Sequence, residues 1–210
     1  MSTLSRIMEH KIVAIIRGAN PDDVWNIVQS LQEGGIRIVE ITLNSRGALQ
    51  VIEQLVKKMG DEMLVGAGTV LNAESADAAI AAGARFIISP NLDPATVELT
   101  RQLGSVSIPG AFTATEILAA YQSGADIVKL FPASIGPAYL KDIRGPLPNI
   151  PLMPTGGISL ENIISFQRAG AAAFGIGSSL VNAVEKVSDK YFGDLTNKAR
   201  QLVNAIANAG

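Results

Sequence analysis

The chain has 210 residues, of which 48% are hydrophobic and 17% charged, and its formal net charge is −2. Surface scaling for this length buries roughly 70% of the unfolded chain's surface, enough for a real core, so disorder is excluded. Zero cysteines exclude disulfides, iron–sulfur clusters, cysteine zinc sites and thiol nucleophiles; one histidine, His10, excludes multi-histidine metal centres; without a basic block, nucleic acid is not an expected partner.

The opening residues 1–18 carry a short apolar run interrupted by charges, with no secretory h-region and no small-residue cleavage site. No stretch of 18 apolar residues occurs, so a membrane is not an expected partner and the expected location is cytoplasmic. Strand-like runs rich in Val, Ile and Phe cover 12–17, 36–43, 63–70, 85–90, 106–110, 126–132, 150–157 and 172–179. Between them, helical spacing covers 22–34, 72–83, 94–104 and 113–124, and a last helical stretch runs over 194–210. Strands alternating with helices of this length imply parallel βαβ units. Eight strands in 210 residues leave about 26 per unit.

An internal repeat supports that count. Residues 33–42, 81–90, 122–131 and 168–177 each place a helix-ending glycine before a buried strand; the glycines are Gly35, Gly83, Gly124 and Gly170. The period marks every second strand, so the chain reads as four (βα)₂ quarters. One (β/α)₈ barrel occupying residues 1–210 as a single domain is the expected fold, of the α/β class.

Period-2 alternation then sorts side chains by face. In 36–43, Ile38, Glu40 and Thr42 oppose the aliphatic set Val39, Ile41 and Leu43, so Glu40 and Thr42 are expected to face the barrel axis. In 126–132, Lys129 shares the inward face with Ile127 and Phe131. The same rule directs Arg17 inward with Ile15, and Thr69 inward with Ala67. All these polar groups lie at C-terminal strand ends, where barrel active sites are built. Two readings of Lys129 and Glu40 stay open: an ion pair plugging the barrel, or a catalytic site. A lysine in apolar surroundings loses preference for its charged form, and its amine can form a Schiff base with a carbonyl.

Glycine-rich turns end the last two runs, PTGGI at 154–158 and GIGSS at 175–179. Their backbone N–H groups suit an anion such as phosphate, and Ser179 adds a hydroxyl. GAGTV at 66–70 is a third such turn, whose small residues leave space inside the barrel. His10 precedes the first strand and reads as structural, Trp25 as packing, and Asp126 and Asp142 as single carboxylates without a metal-like partner set.

As a set, VAIIRG, VEITLNS, GAGTVL, ISPN, IPG, VKLFPAS, PTGGI and GIGSSLV resemble, in this order, the 2-keto-3-deoxy-6-phosphogluconate aldolases. That family includes the 4-hydroxy-2-oxoglutarate and 2-keto-3-deoxy-6-phosphogalactonate aldolases, and the resemblance covers essentially the whole chain. It implies a class I, metal-free aldolase on a barrel, usually a homotrimer, with no dissociable cofactor. Its partners would be small molecules: a phosphorylated keto sugar acid and pyruvate.

Carried over by position, Lys129 matches the Schiff-base lysine and Glu40 the acid/base glutamate. Thr69 matches a threonine on the substrate carboxylate, Pro90 and Phe131 match pocket walls, and Gly156, Gly157 and Ser179 match the phosphate turns. One departure is Asn44, where several family members place an arginine on the carboxylate; Arg17 resembles the arginine of the phosphogalactonate branch and would take over that role. The resemblance implies cleavage to pyruvate and glyceraldehyde 3-phosphate. The alternatives are cleavage of 4-hydroxy-2-oxoglutarate to pyruvate and glyoxylate, another phosphate-binding barrel enzyme such as an isomerase or a thiamine-phosphate-synthase-like transferase, and a silent sugar-phosphate-binding barrel.

Overall fold

Every run read as a strand contains one in the computed structural model, which describes residues 1–182, 185 and 187–208. In chain order the strands are β1 (Ile12–Ile16), β2 (Ile38–Thr42), β3 (Leu64–Gly68), β4 (Phe86–Ile88), β5 (Val106–Ile108), β6 (Gly110–Ala111), β7 (Val128–Leu130), β8 (Leu152–Pro154) and β9 (Phe174–Ile176). The helices are α1 (Thr3–His10), α2 (Pro21–Glu33), α3 (Ala48–Met59), α4 (Ala73–Ala81), α5 (Pro94–Gln102), α6 (Ala114–Gln122), α7 (Pro137–Arg144), α8 (Ile163–Arg168) and α9 (Asp189–Ala207).

The strands form a curled parallel sheet in the order β5-β4-β3-β2-β1-β9, and a second parallel set in the order β6-β7-β8. The run at 106–110, expected as one strand, is divided because Pro109 has no N–H to give a neighbour. Backbone bonds cross both seams between the sets. Lys129 N donates to Pro109 O at 2.9 Å on one side, and Ala172 N to Leu152 O at 2.9 Å on the other, beside a Thr155–Gly175 bridge.

Local signals explain the helices. Asn20 caps α2 with Pro21 in its first turn, and Thr113 and Glu116 form a reciprocal capping box at the start of α6. The repeat glycines Gly35, Gly83, Gly124 and Gly170 all adopt left-handed φ, between 95° and 103°, as their helix-ending role requires. Three elements depart from the expected pattern. The last helix begins at Asp189, capped by Ser188, rather than at 194. The opening residues form α1. The run at 63–70 also ends early, at Gly68, with Thr69 at φ 56°.

That early end corrects one inward assignment. Ala67 belongs to the apolar layer between sheet and helices, not to the axis; Gly66 and Gly68 hold the inward places of β3. Thr69 shares the parity of Ala67, so alternation would turn it outward, and its left-handed backbone rather than the strand pleat aims its half-buried side chain.

Two apolar clusters result. The larger joins the outward strand residues to the helices. The smaller fills the inside of the curl with Val13, Ile38, Leu64, Phe86, Ile108, Ile127 and Met153. Ile7 of α1 belongs to this inner cluster and is fully buried, with Leu4 packed beside it, so α1 closes the N-terminal end. His10 ends α1, exposed, on that face and away from the polar strand ends.

Candidate active site

Glu40 and Lys129 project into the curl one step beyond the inner apolar cluster, from β2 and β7. Glu40 is 0% and Lys129 3% exposed, so both charges are withdrawn from water. Neither carboxylate oxygen of Glu40 has a hydrogen-bond partner. Among the described residues, no ion pair within 4.0 Å joins the two groups, so the plug reading of a direct salt bridge fails. A buried polar group without a partner costs about 1–3 kcal/mol, and more when charged. Such a cost marks a functional site rather than a stabilising one.

Burial raises the Glu40 carboxyl above its ordinary value of 4.5, opposed by the positive charges of Lys129 and Arg17. Burial lowers the Lys129 amine below its ordinary 10.5; Glu40 opposes that shift and Arg17 adds to it. The Lys129 ammonium also lies 4.8 Å from the centre of the Phe131 ring, a cation–π contact. A less basic amine and a less acidic carboxyl are the forms that suit a nucleophile and a proton carrier.

A cavity of about 300 Å³ is lined by Arg17, Phe131, Thr155, Gly156, Gly157 and Ser179; neither Lys129 nor Glu40 lines it, and its link to them is the Phe131 ring that Lys129 approaches. Arg17 is exposed at its mouth. The turn behind Arg17 is clamped by Ser45: Gly18 N–H donates to the Ser45 hydroxyl at 2.8 Å, and that hydroxyl lies 2.9 Å from the Thr42 hydroxyl. Gly156 and Gly157 adopt left-handed φ of 92° and 78°. A Cβ added at Gly156 would touch the Phe131 ring at 3.5 Å, so the phosphate-type turn packs on the aromatic wall beside Lys129. Ser179 donates its hydroxyl to Ile158 O at 2.6 Å, tying the two glycine turns together. An anion here would therefore meet backbone N–H groups rather than that hydroxyl.

The cavity does not collect every expected residue. Asn44 is exposed, Thr69 lies beyond β3, and Pro90 is half-buried with its carbonyl packed against Gly110; none of the three lines it. Asp126 has a structural task, accepting from Ser107 N at 2.8 Å. Among the described residues, no three His, Asp or Glu side chains gather as metal ligands. A larger cleft of about 630 Å³ beside Asn20, Arg46 and Tyr191 contains neither Arg17 nor Phe131, the residues that tie the smaller cavity to Lys129. Two groups escaped the sequence reading. Thr155, buried at the end of β8, carried an inward-parity signal within PTGGI; Ser45 carried none, because its role depends on a bond across 27 positions.

The class of protein that this fold and its similarities show is a carbon–carbon lyase, an aldolase. The family described as KDPG and KHG aldolase matches residues 4–192, and the chain belongs to that family. It is 40% identical over 175 residues to the probable 2-dehydro-3-deoxy-6-phosphogalactonate aldolase of Rhizobium meliloti (strain 1021), covering 82% of each chain. A native KDPGal structure superposes with TM-score 0.88 at 34% identity, over 94% of this chain and 95% of that one. The KDPG aldolase of Legionella pneumophila, solved with pyruvate as a covalent carbinolamine intermediate, superposes with TM-score 0.84 at 26% identity, over 95% and 97%. Among the described residues no helix is long and apolar enough to cross a membrane.

Proposed function

We propose that this aldolase cleaves a 2-keto-3-deoxy-6-phospho sugar acid to pyruvate and glyceraldehyde 3-phosphate, through a Schiff base on Lys129. The observation that carries the reading is the pair of buried, mutually unpaired groups, Lys129 and Glu40, at adjacent depths of one curl. The neutral Lys129 amine attacks the C2 ketone, and Glu40 gives up its proton as water leaves, so that a protonated imine faces a Glu40 carboxylate; hydrolysis of the imine at the end returns that proton. Glu40, directly or through one water, takes the C4 hydroxyl proton. The C3–C4 bond breaks, its electron pair moves into the imine to give an enamine, and the aldehyde departs. Glu40 returns the proton to C3, and water hydrolyses the imine to release pyruvate and free Lys129. The iminium is the electron sink, so the steps call on no dissociable cofactor.

Arg17 anchors the substrate carboxylate by charge-assisted bonds; Thr69, which the family resemblance assigns to the same carboxylate, stands outside the cavity that Arg17 lines. Gly156, Gly157 and the backbone at Ser179 hold the phosphate, and Phe131 walls the pocket. With Asn44 in place of a second arginine, Arg17 carries the carboxylate alone, and both C4 epimers are substrates. We read the two strand sets as one (β/α)₈ barrel domain over residues 1–210; the bonds across both seams support closure. The resemblance to the family supports a cytoplasmic homotrimer.

Pyruvate with borohydride, followed by peptide mass mapping, tests the reaction and the nucleophile together. A reduced adduct on Lys129 is expected. An adduct on Lys11, Lys57, Lys58 or Lys141, or none, overturns the assignment.

A further inference from the structure

Glu40 is placed without a hydrogen bond to hold its carboxyl. Both its oxygens lack hydrogen-bond partners, and it forms no ion pair within 4.0 Å among the described residues. A carboxylate that must meet a substrate proton within hydrogen-bond reach needs its direction fixed; the charges of Lys129 and Arg17 attract it without the directionality of a hydrogen bond, which leaves its orientation to packing.

The wall against which it lies is Gly68, the last residue of β3, which pairs with Thr42 at the end of β2. Gly68 is not among the residues with left-handed φ, so its backbone is one that any L-residue adopts. Its glycine therefore answers to space. A Cβ built there would overlap the Glu40 Oε1 and Cδ and lie 2.6 Å from Cγ, and these three Glu40 atoms are its nearest neighbours. The other inward glycines differ. A Cβ at Gly66 would strike the Phe86 ring of the inner core, and one at Gly110 the Pro90 main chain. Only at position 68 does the missing side chain correspond to the volume of a functional carboxyl.

We propose that Gly68 is a positioning residue for Glu40: the side chain it lacks is the space in which the carboxyl is held for proton transfer. This rests on the reading of Glu40 as the acid/base group. The atoms nearest an added methyl are the Cγ, Cδ and Oε1 of a side chain with no hydrogen bond to hold it, so Gly68→Ala is expected to move the carboxyl without removing it and to leave the Lys129 amine in place.

The test is a four-way cycle of wild type, Gly68→Ala, Glu40→Ala and the double variant. Each is read by borohydride trapping of pyruvate on Lys129, by exchange of pyruvate methyl protons with solvent, and by thermal unfolding. Gly68→Ala is expected to keep trapping within about twofold while slowing exchange about 10²-fold or more, the usual contribution of a general acid–base group. In the Glu40→Ala background, Gly68→Ala is expected to slow exchange no further and to leave the unfolding midpoint unchanged, because the overlapping atoms are gone. If Gly68→Ala alone does not fold, that second comparison still decides. Exchange at the wild-type rate in Gly68→Ala overturns the proposal, as does an equal loss in both backgrounds or a double variant less stable than Glu40→Ala. Should Glu40→Ala itself exchange at the wild-type rate, the acid/base reading fails instead.

Discussion

The two ends of the curl are built on the same alternating pattern and put to opposite uses. At the N-terminal end the inward positions are Val13, Ile38, Leu64, Ile127 and Met153, sealed by Ile7 of α1. Two to four residues further along β2 and β7 they become Glu40, Thr42 and Lys129, buried as deeply but without mutual pairing. The first end gains from every side chain it removes from water. The second gives up part of that gain to hold an amine and a carboxyl in forms that water would not favour. Stability and chemistry are thus separated by about one strand residue pair, and substitutions at the two ends should have opposite signatures.

Lys129→Met gives the largest effect. It fills the same volume with an apolar chain, so cleavage should fall by more than about 10³-fold and borohydride trapping should vanish. Stability should rise instead of falling, because a buried lysine with a lowered pKa penalises the fold. The sign follows from linkage: between its lowered folded value and 10.5 the unfolded chain binds more protons, so the penalty is complete below the folded value and gone above 10.5. The gain from Lys129→Met should therefore shrink as pH rises through that interval in chemical denaturation. Ile7→Ala is the mirror image. It should cost about 2–5 kcal/mol of stability and leave kcat per folded molecule unchanged. Loss of activity in Ile7→Ala at full folding would break the separation.

Arg17 sharpens the comparison at the mouth, where exposure replaces burial. Arg17→Ala should raise KM for pyruvate and for phosphorylated substrates alike, by about 10- to 150-fold, the value of a charge-assisted bond of about 1.5–3 kcal/mol. A change in phosphorylated substrates alone would move Arg17 to the phosphate.

How legible all this was in the sequence follows the same divide. Alternation placed Glu40 and Lys129 inward because β2 and β7 stay extended through those residues. It failed at Ala67 and Thr69 because the strand ends at Gly68 and the next residue turns left-handed. The helix-ending glycines were visible because each needs a conformation that other residues resist. The run at 106–110 was read as one strand although it contains Pro109, where it divides. The role of α1 was hidden, since a short amphipathic segment does not announce that it enters a curl. What no pattern could show was distance: the gap between Lys129 and Glu40, the Ser45 clamp, and the volume at Gly68.

Smaller shifts probe the tuning itself. Removing the negative charge in Glu40→Gln should move the pH midpoint of trapping on Lys129 lower, and removing the positive charge in Arg17→Ala should move it higher, since Glu40 raises and Arg17 lowers the amine's value. Equal or reversed shifts would mean that the three charges do not share one field.

The central claim is that burial has made Lys129 a reactive amine. The rate of borohydride trapping of pyruvate on Lys129, followed against pH in the wild-type protein, tests it most directly. The account predicts a rate that rises with pH and levels off at a midpoint below 10.5, the ordinary lysine value. A midpoint at or above 10.5 would contradict it.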